Sequence, residues 1–288
     1  MKKIAALIMA TLMLALAFAG CTAKAPVEEV SVEEAPVEEA PVEEEESAAD
    51  DDWAYIQEKG KMVIGITEYA PMNYYDDNGK LIGFDTEYAE AVCAELGVTP
   101  EFMVINWDTK EIELKAKMID CIWNGFTITE ERKEALTFSE PYVKNMQVVV
   151  IKAENADVYT DTASLSSANL VAEVASTGEG AIAEDENLSK ANYVSVAKQA
   201  DALLEVKAGT ADAAVIDYVM ARAMVGEGTD YADLIMIEGL ELSYEEYGIG
   251  FRLGSNVAEK VNEATAAIIE NGTLPEIAAK YGLALMAD

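Results

Sequence analysis

IDCIWNGFTITEERKEALTFSEPY, residues 119–142, is the stretch on which the fold turns. An apolar strand from Ile119 ends in Asn124, Gly125, Phe126 and Thr127. A helix start follows, with Thr129 as N-cap and Arg132 in the first turn. Glu130 and Glu131 suit a helix N-terminus, whereas an arginine there works against the macrodipole. An anion held in front of Arg132 would explain it, since a guanidinium grips a carboxylate through two parallel hydrogen bonds. A surface ion pair with a neighbouring glutamate is the plainer alternative.

The same strand-then-helix order recurs on both sides. Residues 62–67 (MVIGIT) form a strand, Asp77-Asn78-Gly79-Lys80 a hairpin-type turn, and Gly83-Phe84-Asp85 opens an amphipathic helix that runs to Leu96 and stops at Gly97. Strands follow at 101–105, 147–151, 170–175, 193–196, 211–216 and near 247–251. Helices are expected at 110–117, 257–270 and 274–281. Such alternation predicts open parallel sheets, most simply two α/β lobes.

Ligands of open α/β sheets bind beyond the carboxyl ends of the strands. There the sequence places Tyr69, Trp107, Asn124, Gly125, Thr127 and Arg132, then Ser176 and Thr177 where a helix begins with unpaired amides, and Asp217 at a strand end. Two anion-binding features, one carboxylate and two aromatics suit a zwitterion. Each residue also has a plainer role: Asp217 and Thr177 as helix caps, Tyr69 as loop packing beside Pro71, Trp107 as core. Residues 138–142 (FSEPY) read as structural.

The ends and the composition set the compartment. Lys2 and Lys3 precede an apolar run over residues 4–18, too short for a membrane span. It closes on Phe18-Ala19-Gly20-Cys21, which resembles a bacterial lipoprotein signal with lipid added at Cys21, although a leucine is more usual at position 18. An ordinary secretory signal is the alternative. Pro26, Pro36 and Pro41 are each followed by Val-Glu-Glu, so residues 21–52 read as an acidic, disordered tether or an interaction tail. The net charge of −34 argues against nucleic acid and against adhesion to anionic lipid. With no histidine, no CxxC pair and no acidic loop motif, neither a zinc site nor a histidine-based triad is expected. Cys93 and Cys121 read as buried free thiols, with a disulfide as the alternative.

Three blocks resemble the family 3 extracellular solute-binding proteins, the polar amino-acid receptors of ABC importers: TEYAPMNYYDDNGKLIGFDTEYAEAV (67–92), KAKMIDCIWNGFTITEERKEALTFSEPY (115–142) and AGTADAAVID (208–217). The resemblance spans about residues 53–282. It implies a type II periplasmic-binding-protein-like fold of two open sheets. Lobe 1 would be built from residues 53–148 plus 246–288 and lobe 2 from 149–245, joined by a two-crossover hinge. It also implies roles. Arg132, with the Thr127 and Thr177 amides, would hold the ligand α-carboxylate. Asp217, the Gly125 carbonyl and the Thr127 hydroxyl would take the α-ammonium, and Tyr69 and Trp107 would sandwich the side chain. Ala175 stands where a glycine is common, and Asn124–Gly125 where small residues or serines are common. Trp123, Asn124 and Phe126 are therefore candidates for shaping specificity.

The expectation is a monomeric, lipid-anchored receptor on the outer face of the cytoplasmic membrane. It would bind an L-amino acid, polar or cationic, and deliver it to ABC permease subunits without cofactor, metal or catalysis. A dehydratase on the same fold, acting on arogenate or prephenate with Glu68 as its acid, is the alternative. A sensory receptor domain is less consistent with the sequence.

Overall fold

A computed structural model describes residues 52–286. Helix α1 (Asp52–Lys59) leads into β1 (Lys61–Ile66), then a small hairpin of β2 (Tyr74–Tyr75) and β3 (Leu81–Ile82). Next come α2 (Phe84–Leu96), β4 (Thr99–Val104), α3 (Lys110–Lys115), β5 (Cys121–Thr127), α4 (Glu130–Ala135), β6 (Leu136–Phe138) and β7 (Val143–Lys152). The chain continues through β8 (Asn169–Glu173), α5 (Thr177–Glu184), β9 (Asn192–Val196), α6 (Gln199–Ala208), β10 (Ala213–Asp217) and α7 (Tyr218–Met224). It ends with β11 (Leu234–Arg252), α8 (Val257–Glu270) and α9 (Thr273–Tyr281).

The fold is α/β, but the sheet is mixed and continuous rather than two separate parallel sheets. Its order is β4-β1-β5-β11-β7-β10-β8-β9, with β6 also paired to β11. One arm is parallel through β4, β1 and β5, and the other through β10, β8 and β9. Between them β7 and β11 run antiparallel to each other and to their outer neighbours β10 and β5. The hydrogen-bonded path stays unbroken because β11 is 19 residues long, enough to serve both arms, with register shifts on the way. Sequence periodicity marked only residues 247–251 of it, since Glu238, Glu241 and Glu246 are solvent-facing and interrupt the apolar pattern.

Alternate strand residues feed different cores, as the two-residue period requires. Val149 and Ile151 of β7 pack with Leu170, Ala172 and Val215, while Val148 and Val150 pack with Val171 and Ile216 on the other face. Both faces are covered, so the strands read as nearly continuous apolar runs. Helix α2 ends where Gly97 takes φ 73°, a left-handed position open to glycine.

The acidic stretch expected to end at Asp52 gives that residue to the fold. Asp52 is fully buried, and Arg252 Nε donates to its Oδ2 at 2.8 Å across 200 positions of chain. Arg252 Nη1 also donates to the carbonyls of Leu114 (3.0 Å) and Ile119 (2.9 Å). Beside it Asp120 accepts from Lys59 and from the Val63 amide. The signal segment, Cys21 and the rest of the tether lie outside the described residues. Cys93 and Cys121 are free and buried, and burial pushes both thiols upward in pKa, Cys93 to about 12, so neither is nucleophilic.

Arg252→Ala leaves buried Asp52 with only the half-exposed Lys117, at 3.5 Å, and strands two buried carbonyls. Chemical denaturation is expected to show a loss of about 3–5 kcal/mol; a change below 1 kcal/mol would show the cluster to be solvated and dispensable.

Candidate functional site

Tyr69, Trp107, Asn124, Gly125, Thr127, Arg132, Ser176, Thr177 and Asp217 all line one small cavity. They come from β5, α4, the N-terminus of α5, the end of β10 and the loops after β1 and β4. Thr67, Glu68, Glu173 and Gln199 complete the wall.

Arg132 sits in the first turn of α4, whose N-cap Thr129 accepts from the Arg132 amide at 3.1 Å. Its guanidinium folds back over the Phe126 ring at 4.4 Å, donating to the Thr127 carbonyl (2.7 Å) and toward the Ala175 carbonyl (3.5 Å). Among the described residues no carboxylate pairs with it. Burial lowers its pKa, and the charges of Glu245 and Asp217 oppose that shift. Facing it, α5 starts with a side-chain cap: Ser176 Oγ accepts from the Glu179 amide, and Glu179 reaches back to accept from the Ala175 amide at 2.7 Å. A site for an anion is thus framed by one arginine and one helix start.

Asp217 is the N-cap residue of α7 by position, yet its side chain makes no capping bond. It faces a set of amides instead. Asn145 and Gln147 donate to Oδ1 at 2.5 and 2.6 Å, and Gln199 donates to Oδ2. Glu245 shares the first two donors, at 2.9 and 3.2 Å, and takes the Thr127 hydroxyl at 2.9 Å. Sheet register builds this arrangement, because Gln147 stands opposite Asp217 on β10 and Asn145 opposite Glu245 on β11. Burial first, then the Glu245 charge, raises Asp217 to about 6. A carboxylate so placed welcomes a cation.

Tyr69 and Trp107 are both buried at the cavity wall. Tyr69 is fixed by a 2.6 Å hydroxyl contact with Tyr247, and Trp107 stands edge-on to Phe126 at 5.5 Å. Gly125 takes φ 56°, and a Cβ there would lie 2.5 Å from the Tyr69 ring, so the position admits only glycine. Asn124 lines the cavity with all four of its hydrogen bonds used: its oxygen accepts from the Thr67 amide and hydroxyl, and its nitrogen donates to the Thr67 carbonyl and Asn73. It therefore positions the wall and offers no polar valence inward. Trp123, expected to help shape specificity, packs edge-on against Tyr88 at 4.8 Å and stays out of the cavity lining.

The residues the sequence reading missed are polar ones inside strands and one lysine. Asn145 and Gln147 alternate on β7, and that period-two polar pair was the available signal. Glu173 closes an apolar strand and carries no motif. Lys110 begins α3 and so repeats the wrong-end signal of Arg132. Its ammonium, 4% exposed, donates to the carbonyls of Trp107 (3.0 Å) and Ala175 (3.2 Å). Burial and the Arg132 charge lower it to about 8. Two cations therefore converge on the Ala175 carbonyl, and Ala175 takes φ 55° to aim it. No group of three or more histidine, cysteine or acidic side chains fit to hold a metal occurs among the described residues.

Two sheet arms bridged by crossing strands, with a doubly charged cleft at the strand ends, have the architecture of a two-lobe solute receptor. Residues 62–284 match the bacterial extracellular solute-binding proteins, family 3, and the chain belongs to that family. It is similar to the L-cystine-binding protein TcyJ of Escherichia coli, 27% identical over 232 residues that cover 78% of this chain and 84% of that protein. A solved amino acid ABC transporter substrate-binding protein from Streptococcus pneumoniae, bound to L-arginine, superposes with a TM-score of 0.72 at 26% identity, covering 82% of this chain and 99% of the other. An ancestral amino acid-binding protein described as a precursor of cyclohexadienyl dehydratase gives a TM-score of 0.72 at 30% identity, covering 80% and 98%.

A left-handed alanine costs about 1–2 kcal/mol, and glycine returns part of that through its greater chain entropy. Ala175→Gly is thus expected to stabilise the protein by about 0.5–1 kcal/mol in a thermal melt. A destabilised variant would contradict the left-handed backbone.

Proposed function

We propose that the cavity binds an L-α-amino acid by both charged ends and that the protein delivers it to the permease of an ABC importer. One observation carries the reading: Arg132 lacks a carboxylate partner and Asp217 lacks a cation partner among the described residues, although both line one cavity. An α-amino acid supplies each missing partner. Its carboxylate would lie between Arg132 and the α5 N-terminus, with the Thr127 and Thr177 amides beside it. Its ammonium would lie at Asp217 near the Gly125 carbonyl, and Tyr69 and Trp107 would flank the side chain. Relatives named for cystine and arginine support the ligand class.

The reading extends to residues 53–148 with 246–288 as one lobe and 149–245 as the other, hinged where β7 and β11 cross. Residues 1–20 would direct export, and a lipid on Cys21 would anchor the acidic tether to the outer face of the cytoplasmic membrane, with the receptor acting as a monomer. Among the described residues no helix is long and apolar enough to cross a membrane.

A second reading rests on Glu173, a buried carboxyl in the cavity wall whose pKa is raised to about 8, which suits a general acid. The dehydratase-precursor neighbour belongs with it. Turnover of prephenate or arogenate by the purified protein would replace binding with catalysis.

Arg132→Ala and Asp217→Asn are each expected to weaken L-amino-acid binding about 100-fold or more, because each leaves one buried ligand charge unpaired. Calorimetry alongside a thermal melt checks this; undiminished affinity in both variants overturns the assignment. Cys21→Ala should abolish incorporation of labelled palmitate and release the protein into the medium, and retained label would remove the anchor.

A further inference from the structure

The cavity holds more negative charge than an ordinary amino acid can answer. Besides Asp217, Glu173 lines it at 4% exposure. Among the described residues no lysine or arginine pairs with Glu173. Against its burial Glu173 has only a hydrogen bond from Gln199, an amide that also donates to Asp217 Oδ2 and accepts from the Asp217 amide, and the more distant charge of Lys110. Glu68 also lines the cavity, but it is 53% exposed and lies 3.9 Å from Lys198. The lining therefore contains one unpaired cation, Arg132, and two buried unpaired carboxyls, Asp217 and Glu173.

We propose that Glu173 is the specificity-determining residue for a ligand with a cationic side chain, so that the substrate class is the basic L-amino acids. This rests on the amino-acid reading of the same site. The ligand carboxylate answers Arg132, its α-ammonium answers Asp217, and its side-chain guanidinium or ammonium answers Glu173. A neutral side chain would leave the buried Glu173 carboxyl with only the distant Lys110 as counter-charge, which favours its protonated form.

The approach to the cavity agrees. The wider opening that shares Thr127, Arg132, Ser176 and Thr177 with the site is rimmed by Glu111, Glu131, Glu134, Glu184 and Asp185. A rim of one sign raises the local concentration of the opposite charge and speeds its capture.

Protonation follows from the same geometry. Burial, then the Asp217 charge, raises Glu173 to about 8, while Lys110 opposes the shift and Asp201 adds to it. Below pH 8 Glu173 holds a proton that a ligand cation must expel. Binding of a basic amino acid thus releases a proton, and affinity rises as pH climbs toward 8. Asp217, near 6, contributes in the same direction at lower pH. Lys110, near 8, loses its attraction for the ligand carboxylate together with its repulsion toward the side-chain cation as it deprotonates, and the two oppose each other. The Glu173 part is therefore the part that a glutamine removes.

Calorimetry with L-arginine, L-lysine, L-citrulline, L-glutamine and L-cystine tests the assignment on the unaltered protein. Citrulline keeps the shape of arginine without its charge. Arginine or lysine is expected to bind at least roughly 30-fold more tightly than citrulline and glutamine. At pH 7 the binding enthalpy should vary with the buffer's ionisation enthalpy, reporting proton release. Glu173→Gln should retain binding, narrow the arginine-to-citrulline gap to a few-fold and lose the Glu173 share of that buffer dependence. Equal or tighter binding of citrulline, glutamine or cystine by the unaltered protein overturns the proposal while leaving the amino-acid reading intact. An unchanged gap in Glu173→Gln overturns it as well. If the unaltered protein binds no amino acid, the function reading falls first and this proposal with it. Should the variant fail to fold, the ligand ranking and proton release of the unaltered protein still decide.

Discussion

Strands β7 and β11 pair antiparallel through the centre of the sheet, and the register of β7 with β11 and β10 places four polar side chains where apolar strands would otherwise continue. Gln147 and Asn145 sit on β7 between a carboxylate on each neighbouring strand, Asp217 and Glu245. A one-residue slip would send both amides to the opposite face and leave two carboxylates facing each other without donors. Bulky apolar residues on both sides of β7 hold that register, since Val148 to Ile151 are buried in two different cores. Packing far from the cleft therefore fixes the electrostatics inside it.

Within the cleft, charges are satisfied by neutral groups rather than by one another. Arg132 leans on carbonyls and an aromatic face, and Asp217 on three amides. Neutral partners cover much of the desolvation cost without cancelling the charge, so each group keeps a net field directed at a ligand. Direct pairing of Arg132 with Asp217 or Glu245 would stabilise the protein alone and make the site inert. Contrast the cluster at Asp52, Asp120 and Arg252, where acid and base meet directly and the role is structural.

The parts legible in the sequence were those that break a local rule. Arg132 was visible because a cation opens a helix, and Asp217 because a carboxylate closes a buried strand. The helices 84–96, 257–270 and 274–281 were visible through period and terminal glycines. Lys110 obeyed the same rule as Arg132 and was read only as a helix start, because its contacts lie 65 positions away at Ala175. Glu173 closes a buried strand as Asp217 does, but a strand read through to residue 175 hides that end, and Asn145 and Gln147 take their meaning from strand neighbours that the sequence does not reveal. The continuity of the sheet was hidden for a similar reason, since β11 alternates glutamates with apolar residues over its first half while one edge is already paired.

The Ala175 carbonyl shows how such a site couples binding to shape. Lys110 and Arg132 reach it from α3 and α4, while Ala175 itself belongs to the β8–α5 turn that carries the anion-binding amides. The same arginine thus faces both a carbonyl on the other arm and the anion site. Lys110 and Arg132 lie on one arm and Glu173 and Asp217 on the other, so each arm presents one sign of charge to the cleft. A zwitterion inserted between them supplies an anion to the first pair and a cation to the second. A ligand held by both arms at once would supply the differential free energy that a binding-driven population shift requires.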